Sequence, residues 1–266
     1  MRRPSPGAAV GTSGAVGPHA LTGIGGYDEF EIDIEEILRQ QLPKFFQDMP
    51  SAPLTLGNVD GLPERAKGAY VLFLDDFPVY AGKTDTRHGF RDRLGRHAWT
   101  VQGRVNLDPS RLSFKAVRIM VFSAFDAEAL LISEMKRINP KALPWNNSGF
   151  GSNDPGKNRD SQQPADFDQW YPVDIDFMMH DLPISDISLA DFFGVVKQRL
   201  PFLFRNAPIP ADVMVTNTND KATLRQILKM AVGVLPPGWQ VTVLHGRVII
   251  YQEKRDYEFK LEVMRS

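Results

Sequence analysis

Two phenols, a guanidinium, an imidazole and two carboxylates mark the chemically capable part of this 266-residue chain. Tyr70 and Tyr80 stand ten residues apart in GAYVLFLDDFPVYAG. Val71, Leu72 and Phe73 form one apolar run, Val79 and Tyr80 begin a second, and Asp75-Asp76-Phe77-Pro78 supplies turn chemistry between them, so the stretch reads as a short hairpin. Arg93 and His97 follow in a basic segment that starts at Phe90. Their spacing of four puts them on one face of a helix. Lys83 to Arg104 holds six Lys and Arg against Asp85 and Asp92, a local charge of +4. Such a cluster is ordinarily just a solvated face; its overlap with the tyrosines and His97 points to a phosphate-facing surface.

Glu128 and Glu134 lie on the next helix, Ala127 to Ile138, which Ser123-Ala124-Phe125-Asp126 introduces as a capping-box pattern. Six positions at about 100° each set the two carboxylates about 240° apart, so they do not serve the same site. Glu128 has a structural explanation near the positive end of the helix dipole, whereas Glu134 has none so ready. Pro144 to Gly156 is then long, small and amide-rich, with Asn146, Asn147 and Asn153. Loops of this length inside a domain are usually functional or disordered.

The elements that must position these groups read as follows. Residues 1–26 are Gly-, Ala-, Pro- and Ser-rich and are expected to be a disordered tail. Ile32 to Phe46 has helical spacing with Pro43 as a kink or stop, and its acidic start suits the helix dipole better than a metal site. Phe114 to Phe122 alternates as a third strand. From Ile184 the pattern restarts: a helix over Ser188 to Leu200 with Ser188 and Asp191 at its cap, a helix over Lys221 to Leu235, and strands Trp239 to Leu244 and Arg247 to Tyr251 around His245-Gly246. The expected divisions are a tail (1–26), a main domain (27–183) and a small α/β extension (184–266).

Composition sets the outer limits. With 42% hydrophobic residues the chain can bury one large core or two modest ones. There is no cysteine, which excludes disulfides, thiolate zinc sites and cysteine nucleophiles. No apolar run approaches spanning length and the N-terminus lacks a signal-peptide core, so the expectation is a cytoplasmic protein without a membrane partner. Gly82-Lys83-Thr84 looks like the end of a phosphate-binding P-loop, but that pattern needs glycine where Phe77 stands.

These residues together resemble the GIY-YIG nuclease superfamily. Its two signature triplets stand as Gly68-Ala69-Tyr70 and Tyr80-Ala81-Gly82, with alanine for both central isoleucines, and its helix motif as Arg93-Leu94-Gly95-Arg96-His97. The run Trp145-Asn146-Asn147-Ser148-Gly149-Phe150-Gly151-Ser152-Asn153-Asp154-Pro155-Gly156 is similar to one in the restriction endonucleases of this superfamily that cut CCGCGG. The resemblance covers roughly residues 27 to 180 and implies an α+β, GIY-YIG fold: a three-stranded central sheet, near 69–74, 78–81 and 114–122, flanked by helices near 90–98 and 126–138.

The implied function is a sequence-specific type II restriction endonuclease that hydrolyses double-stranded DNA with Mg²⁺ (or Mn²⁺). It would act as a homodimer on a palindromic target, with a cognate DNA methyltransferase as genomic companion. Cleaving a phosphodiester requires an attacking water relieved of a proton, a cation for the charge building on phosphate, and help for the leaving oxygen. By the resemblance Tyr70 is the general base with an acidified phenol, His97 takes its proton onward, Tyr80 polarises the phosphate and Arg93 holds nonbridging oxygens. Glu134, twelve residues before Asn146, is chosen over Glu128 as metal ligand, and Asn146 orients the site. Lys83, Arg91, Arg96, Asn147 and Asn153 are further candidates for DNA contacts. The alternatives are a repair or mobile-element nuclease and a non-cutting DNA-binding module.

Overall fold

A computed structural model describes residues 33–85, 87–120, 127–147, 150 and 156–266. The expected tail, the capping box at Ser123 to Asp126, the end of the expected third strand at Phe122, and Asn153 lie outside those residues.

Helix α1 (Ile34–Asp48) starts where Asp33 accepts a hydrogen bond from the Glu36 amide at 2.9 Å, and Glu35 and Glu36 fill its first turn. The acidic start therefore caps a helix. Pro43 does not end it. Leu42 and Phe46 are buried on either side, and burying two such side chains contributes about 1.5–3 kcal/mol each against about 3 kcal/mol for an interior proline. Short strand β1 (Ala52–Pro53) and helix α2 (Leu56–Asp60) lead to β2 (Gly68–Leu74) and β3 (Phe77–Thr84), followed by α3 (Phe90–Thr100), β4 (Leu112–Arg118) and α4 (Ala127–Ile138). The sheet has order β1-β4-β2-β3 and is antiparallel throughout, so the expected three strands gain a short fourth at the β4 edge.

Strand β2 sits between β4 and β3 and is buried along almost its whole length. Its side chains alternate between two apolar layers. Tyr70 and Leu72 pack with Phe90, Leu94 and Trp145 on the α3 side, whereas Ala69, Val71 and Phe73 pack with Leu42, Phe46, Leu130 and Leu131 on the α1/α4 side. The β2–β3 turn is Asp75-Asp76, with φ of 49° and 63°, the two left-handed residues of a hairpin whose turn matches strand twist. From the turn Leu74 faces Phe77 and Phe73 faces Pro78, yet Leu72 then faces Tyr80, because Val79 is the extra residue of a bulge. Without the bulge Tyr80 would face Val71 and point to the α1/α4 side. With it, Tyr80 joins Tyr70 on the α3 side.

The remainder comprises α5 (Asp166–Trp170), β5 (Met178–Met179), β6 (Ser185–Ser188), α6 (Leu189–Arg199), β7 (Leu203–Asn206), β8 (Met214–Asn217), β9 (Ala222–Thr223), α7 (Leu224–Val234), β10 (Gln240–Leu244), β11 (Arg247–Tyr251) and β12 (Lys260–Arg265). A second sheet runs β12-β10-β11-β7, with β7 and β11 parallel. Ser188 caps α6 by accepting from the Asp191 amide at 3.1 Å, and a full capping box at Thr223 and Gln226 starts α7. Val173, Ile175, Met179 and Leu182 belong to this second core, so its packing begins about ten residues before the expected division at 183/184. The two units are fastened together: the Asp174 amide donates to Gly103 O at 3.1 Å, and Trp99 Nε1 to Leu200 O at 3.3 Å. Among the described residues no helix is long and apolar enough to cross a membrane.

Candidate active site

The hairpin and α3 bring four of the sequence-derived groups together. The Tyr70 hydroxyl lies 2.9 Å from His97 Nε2, and both side chains are buried. The Tyr80 ring is centred 6.1 Å from Tyr70 and 5.0 Å from His97. Arg93 stands one turn before His97, and its charge works against the rise in pKa that burial imposes on both phenols. Its Nε and His97 Nδ1 are buried with no hydrogen-bond partner among the described residues.

Local packing explains why the hairpin folds this way. Tyr70 and Gly82 are directly opposed in the ladder. A Cβ on Gly82 would lie 2.5 Å from both Cζ and Oη of Tyr70, so the ring needs a residue without a side chain beneath it. Asn146, from the 3₁₀ turn Pro144–Asn147, clamps the neighbouring Ala81: its Oδ1 accepts from Ala81 N and its Nδ2 donates to Ala81 O, each at 2.8 Å. Asn146 thus positions the strand that carries Tyr80 through its backbone. Phe150 completes the wall, stacked on His97 with centroids 4.8 Å apart and planes at 16°. Phe150 has no periodic neighbours in the sequence to single it out.

Burial sets the protonation states. It pushes the Tyr70 phenol up, with Tyr80 adding to the effect and Arg93 opposing it. The expected acidification of Tyr70 is therefore reversed in this state, because a phenolate is poorly solvated in an apolar layer. Tyr80 is also raised, by burial and then by the charge of Glu128. His97 is pushed down to about 3 by burial, then by Arg96 and Arg93. It is a neutral imidazole at ordinary pH, and the burial that keeps it so also resists its protonation.

The carboxylates separate as the helical wheel demands, but in the opposite sense to the sequence choice. Glu134 is not in this cluster. It faces α1 on the other side of the sheet, bound by Arg137 Nε at 2.8 Å and Arg39 Nη1 at 3.4 Å, and Arg137 holds its carboxyl below the usual range. It lines an α1/α4 groove with Phe73 and Lys115, and Phe73 belongs to the α1/α4 layer. The reason is strand alternation: Leu130 and Leu131 of α4 pack with Ala69 and Val71 on the face opposite Tyr70. Glu128 stands in the first turn of α4. It lies 3.9 Å from Lys83 Nζ, and its charge acts on both Tyr70 and Tyr80.

The outer candidates divide similarly. Arg91 is engaged with the protein, through Leu62 O at 2.5 Å and Glu64 at 3.1 Å. Lys83 pairs with Glu128, and Arg96 is exposed on α3. Asn147 lies in the turn beside Asn146, but its side chain falls outside the described residues, as does all of Asn153.

Among the described residues no three His, Asp or Glu side chains converge as a metal cage. A single carboxylate still suits Mg²⁺, which keeps several waters and takes much of its ligation from substrate phosphate. Glu134 is engaged by two arginines, and Glu128 by Lys83 at 3.9 Å. No protein-family model matches the chain, and no curated protein matches it.

Proposed function

We propose that this protein is a divalent-metal-dependent endonuclease that hydrolyses double-stranded DNA on a GIY-YIG-type scaffold. Type II restriction at a palindrome such as CCGCGG is the favoured role, with a homodimer as the cutting form and a cognate methyltransferase protecting the host's sites. The observation that carries this reading is the Tyr70–His97 hydrogen bond at 2.9 Å, with Tyr80 beside it and the charges of Arg93 and Glu128 reaching both phenols.

Each group has a role its surroundings suit. His97 Nε2 accepts the Tyr70 hydroxyl proton as Tyr70 takes one from the attacking water, a transfer that the negative charge of bound phosphate would favour against the burial that holds the imidazole neutral. Arg93, with a buried donor unsatisfied among the described residues, binds nonbridging phosphate oxygens. Tyr80, half-buried and next to Glu128 in electrostatic reach, hydrogen-bonds the scissile phosphate. Gly82 and Asn146 hold the two phenols in place. Glu128 would hold the cation, which when bound neutralises charge building on phosphate and favours the ionised phenol.

Single-turnover cleavage of duplexes with and without CCGCGG, in Mg²⁺ and in EDTA, tests the proposal. Glu128→Gln and Tyr70→Phe each lower the rate by roughly three orders of magnitude or more, about 4 kcal/mol of barrier, without abolishing DNA binding. Glu134→Gln cuts at the wild-type rate and melts lower. Wild-type cleavage that persists in EDTA removes the metal from the reading, and Glu134→Gln as the inactive variant reverses the carboxylate assignment. DNA binding without cleavage leaves a non-cutting module.

A further inference from the structure

Behind His97 lies a buried cation that no step of the chemistry uses. Arg104 follows α3, and its side chain is almost fully shielded. Its Nη1 donates to Asp168 Oδ1 at 2.8 Å and to Tyr171 O at 3.1 Å. The guanidinium sits 4.8 Å above the centre of the Phe167 ring. Phe167 is centred 4.6 Å from Phe150, and Phe150 is the ring stacked on His97. Trp145, 4.8 Å from each of these two phenylalanines, fills the remaining side.

The pair is braced from outside. Gly246, in the β10–β11 turn, lies against Asp168: a Cβ there would fall 2.3 Å from Oδ2 and 2.6 Å from Cγ. Asp168 is therefore caught between Arg104 and the hairpin of the C-terminal unit. An apolar side chain would fill this space without the desolvation cost of a buried charge. What a guanidinium adds is direction: two hydrogen bonds at set angles, which fix α5 and with it the Phe167 ring.

We propose that Arg104 and Asp168 are positioning residues for His97, and that the C-terminal hairpin sets the imidazole's orientation through them, by way of Phe167 and Phe150. This gives the C-terminal unit a function: it holds the aromatic wall of the site rather than touching substrate. The catalytic meaning of the coupling rests on the nuclease reading, whereas the coupling itself rests on the contacts alone.

The test uses the full chain and reads the His97 Cε1–H proton resonance, assigned by its disappearance in His97→Gln. In the wild type it is displaced upfield by the stacked Phe150 ring. Gly246→Ala, which touches no residue of the site, drives the Asp168 carboxylate off Arg104 and moves the resonance toward the position of an unstacked histidine. Arg104→Met does the same. Asp168→Asn, which keeps the shape and weakens the pair, decides the matter should either of those fail to fold by circular dichroism. Arg225→Gln, which loses ion pairs to Asp176 and Glu262 outside this column, leaves the resonance in place. Single-turnover cleavage falls on the order of 10- to 100-fold in the first three variants, with DNA affinity unchanged, as expected of misplacement rather than loss of a reacting group. Folded variants with an unmoved His97 resonance overturn the coupling. A moved resonance with wild-type cleavage overturns the positioning role. A wild type that does not cleave removes the nuclease reading, and the resonance still decides the coupling.

Discussion

Replacing Gly82 by alanine tests the geometry of the site at its tightest point. The added methyl would lie 2.5 Å from Cζ and Oη of Tyr70, where carbon contacts are at rest near about 3.5–4.0 Å. The Tyr70 ring must therefore move by roughly 1 Å, and it is buried among Leu72, Phe90 and Leu94 with little room to do so. Overpacking of this kind costs about 1–3 kcal/mol. Displacing the hydroxyl from its 2.9 Å bond to His97 adds about 0.5–1.5 kcal/mol. Together, roughly 2–4 kcal/mol, these lower the melting temperature by roughly 4–16 °C for a chain of this size. Single-turnover cleavage should fall further than stability implies, by about 10²–10⁴-fold, because the proton acceptor and its relay part company. The assay pairs thermal melting with single-turnover cleavage below the melting transition, and Gly61→Ala, whose methyl meets only Asn58 O at 3.5 Å, is the control. A Gly82→Ala protein that melts and cuts like the wild type would refute the close Tyr70–Gly82 packing on which the site rests.

Three further outcomes are expected. His97 stays neutral down to about 3 in the folded protein; the unfolded chain takes up its proton near 6.5, so stability is intact above that value. It declines as pH falls from there toward 3, by up to about 1.4 kcal/mol per pH unit; urea unfolding between roughly pH 7 and 5 should show a shallower decline for His97→Asn, and equal slopes would overturn this. Gly194 in α6 and Gly233 in α7 are exposed, with open space where a Cβ would go. Alanine at each raises stability by about 0.5–1 kcal/mol, and a drop in melting temperature for either would contradict the helix geometry. Lys115 Nζ donates to Phe46 O at 2.7 Å at the end of α1, so Lys115→Met should cost about 1 kcal/mol in chemical unfolding and leave cleavage untouched.

Much of the fold was legible because it depends on local periodicity and turn chemistry. The β2–β3 hairpin, the basic helix with Arg93 and His97 on one face, the α4 span, the Ser188 cap and the hairpin around His245-Gly246 all follow from neighbours within a few positions. The same reasoning correctly separated Glu128 from Glu134. It did not say which of the two faces the tyrosines, since a helical wheel fixes angles about one axis and carries nothing about where that axis lies on the sheet. The start of the second core at Val173 was equally hidden: apolar residues in a loop do not declare which of two cores receives them.

The sequence by itself determined that two phenols, an arginine and a histidine stand on elements short enough to meet, and that the glycines flanking them permit close approach. Tertiary structure decided the meeting. Ten residues and a two-residue turn would place Tyr80 on the face opposite Tyr70, and the bulge at Val79 reverses that parity. Phe150 reached His97 only through packing against Trp145 and Phe167. Glu128 rather than Glu134 came within electrostatic reach of the phenols, because Glu134 packs toward Arg39 of α1. In each case the deciding energy comes from ladder pairing and contacts between elements distant in the chain, which residue type and spacing do not encode.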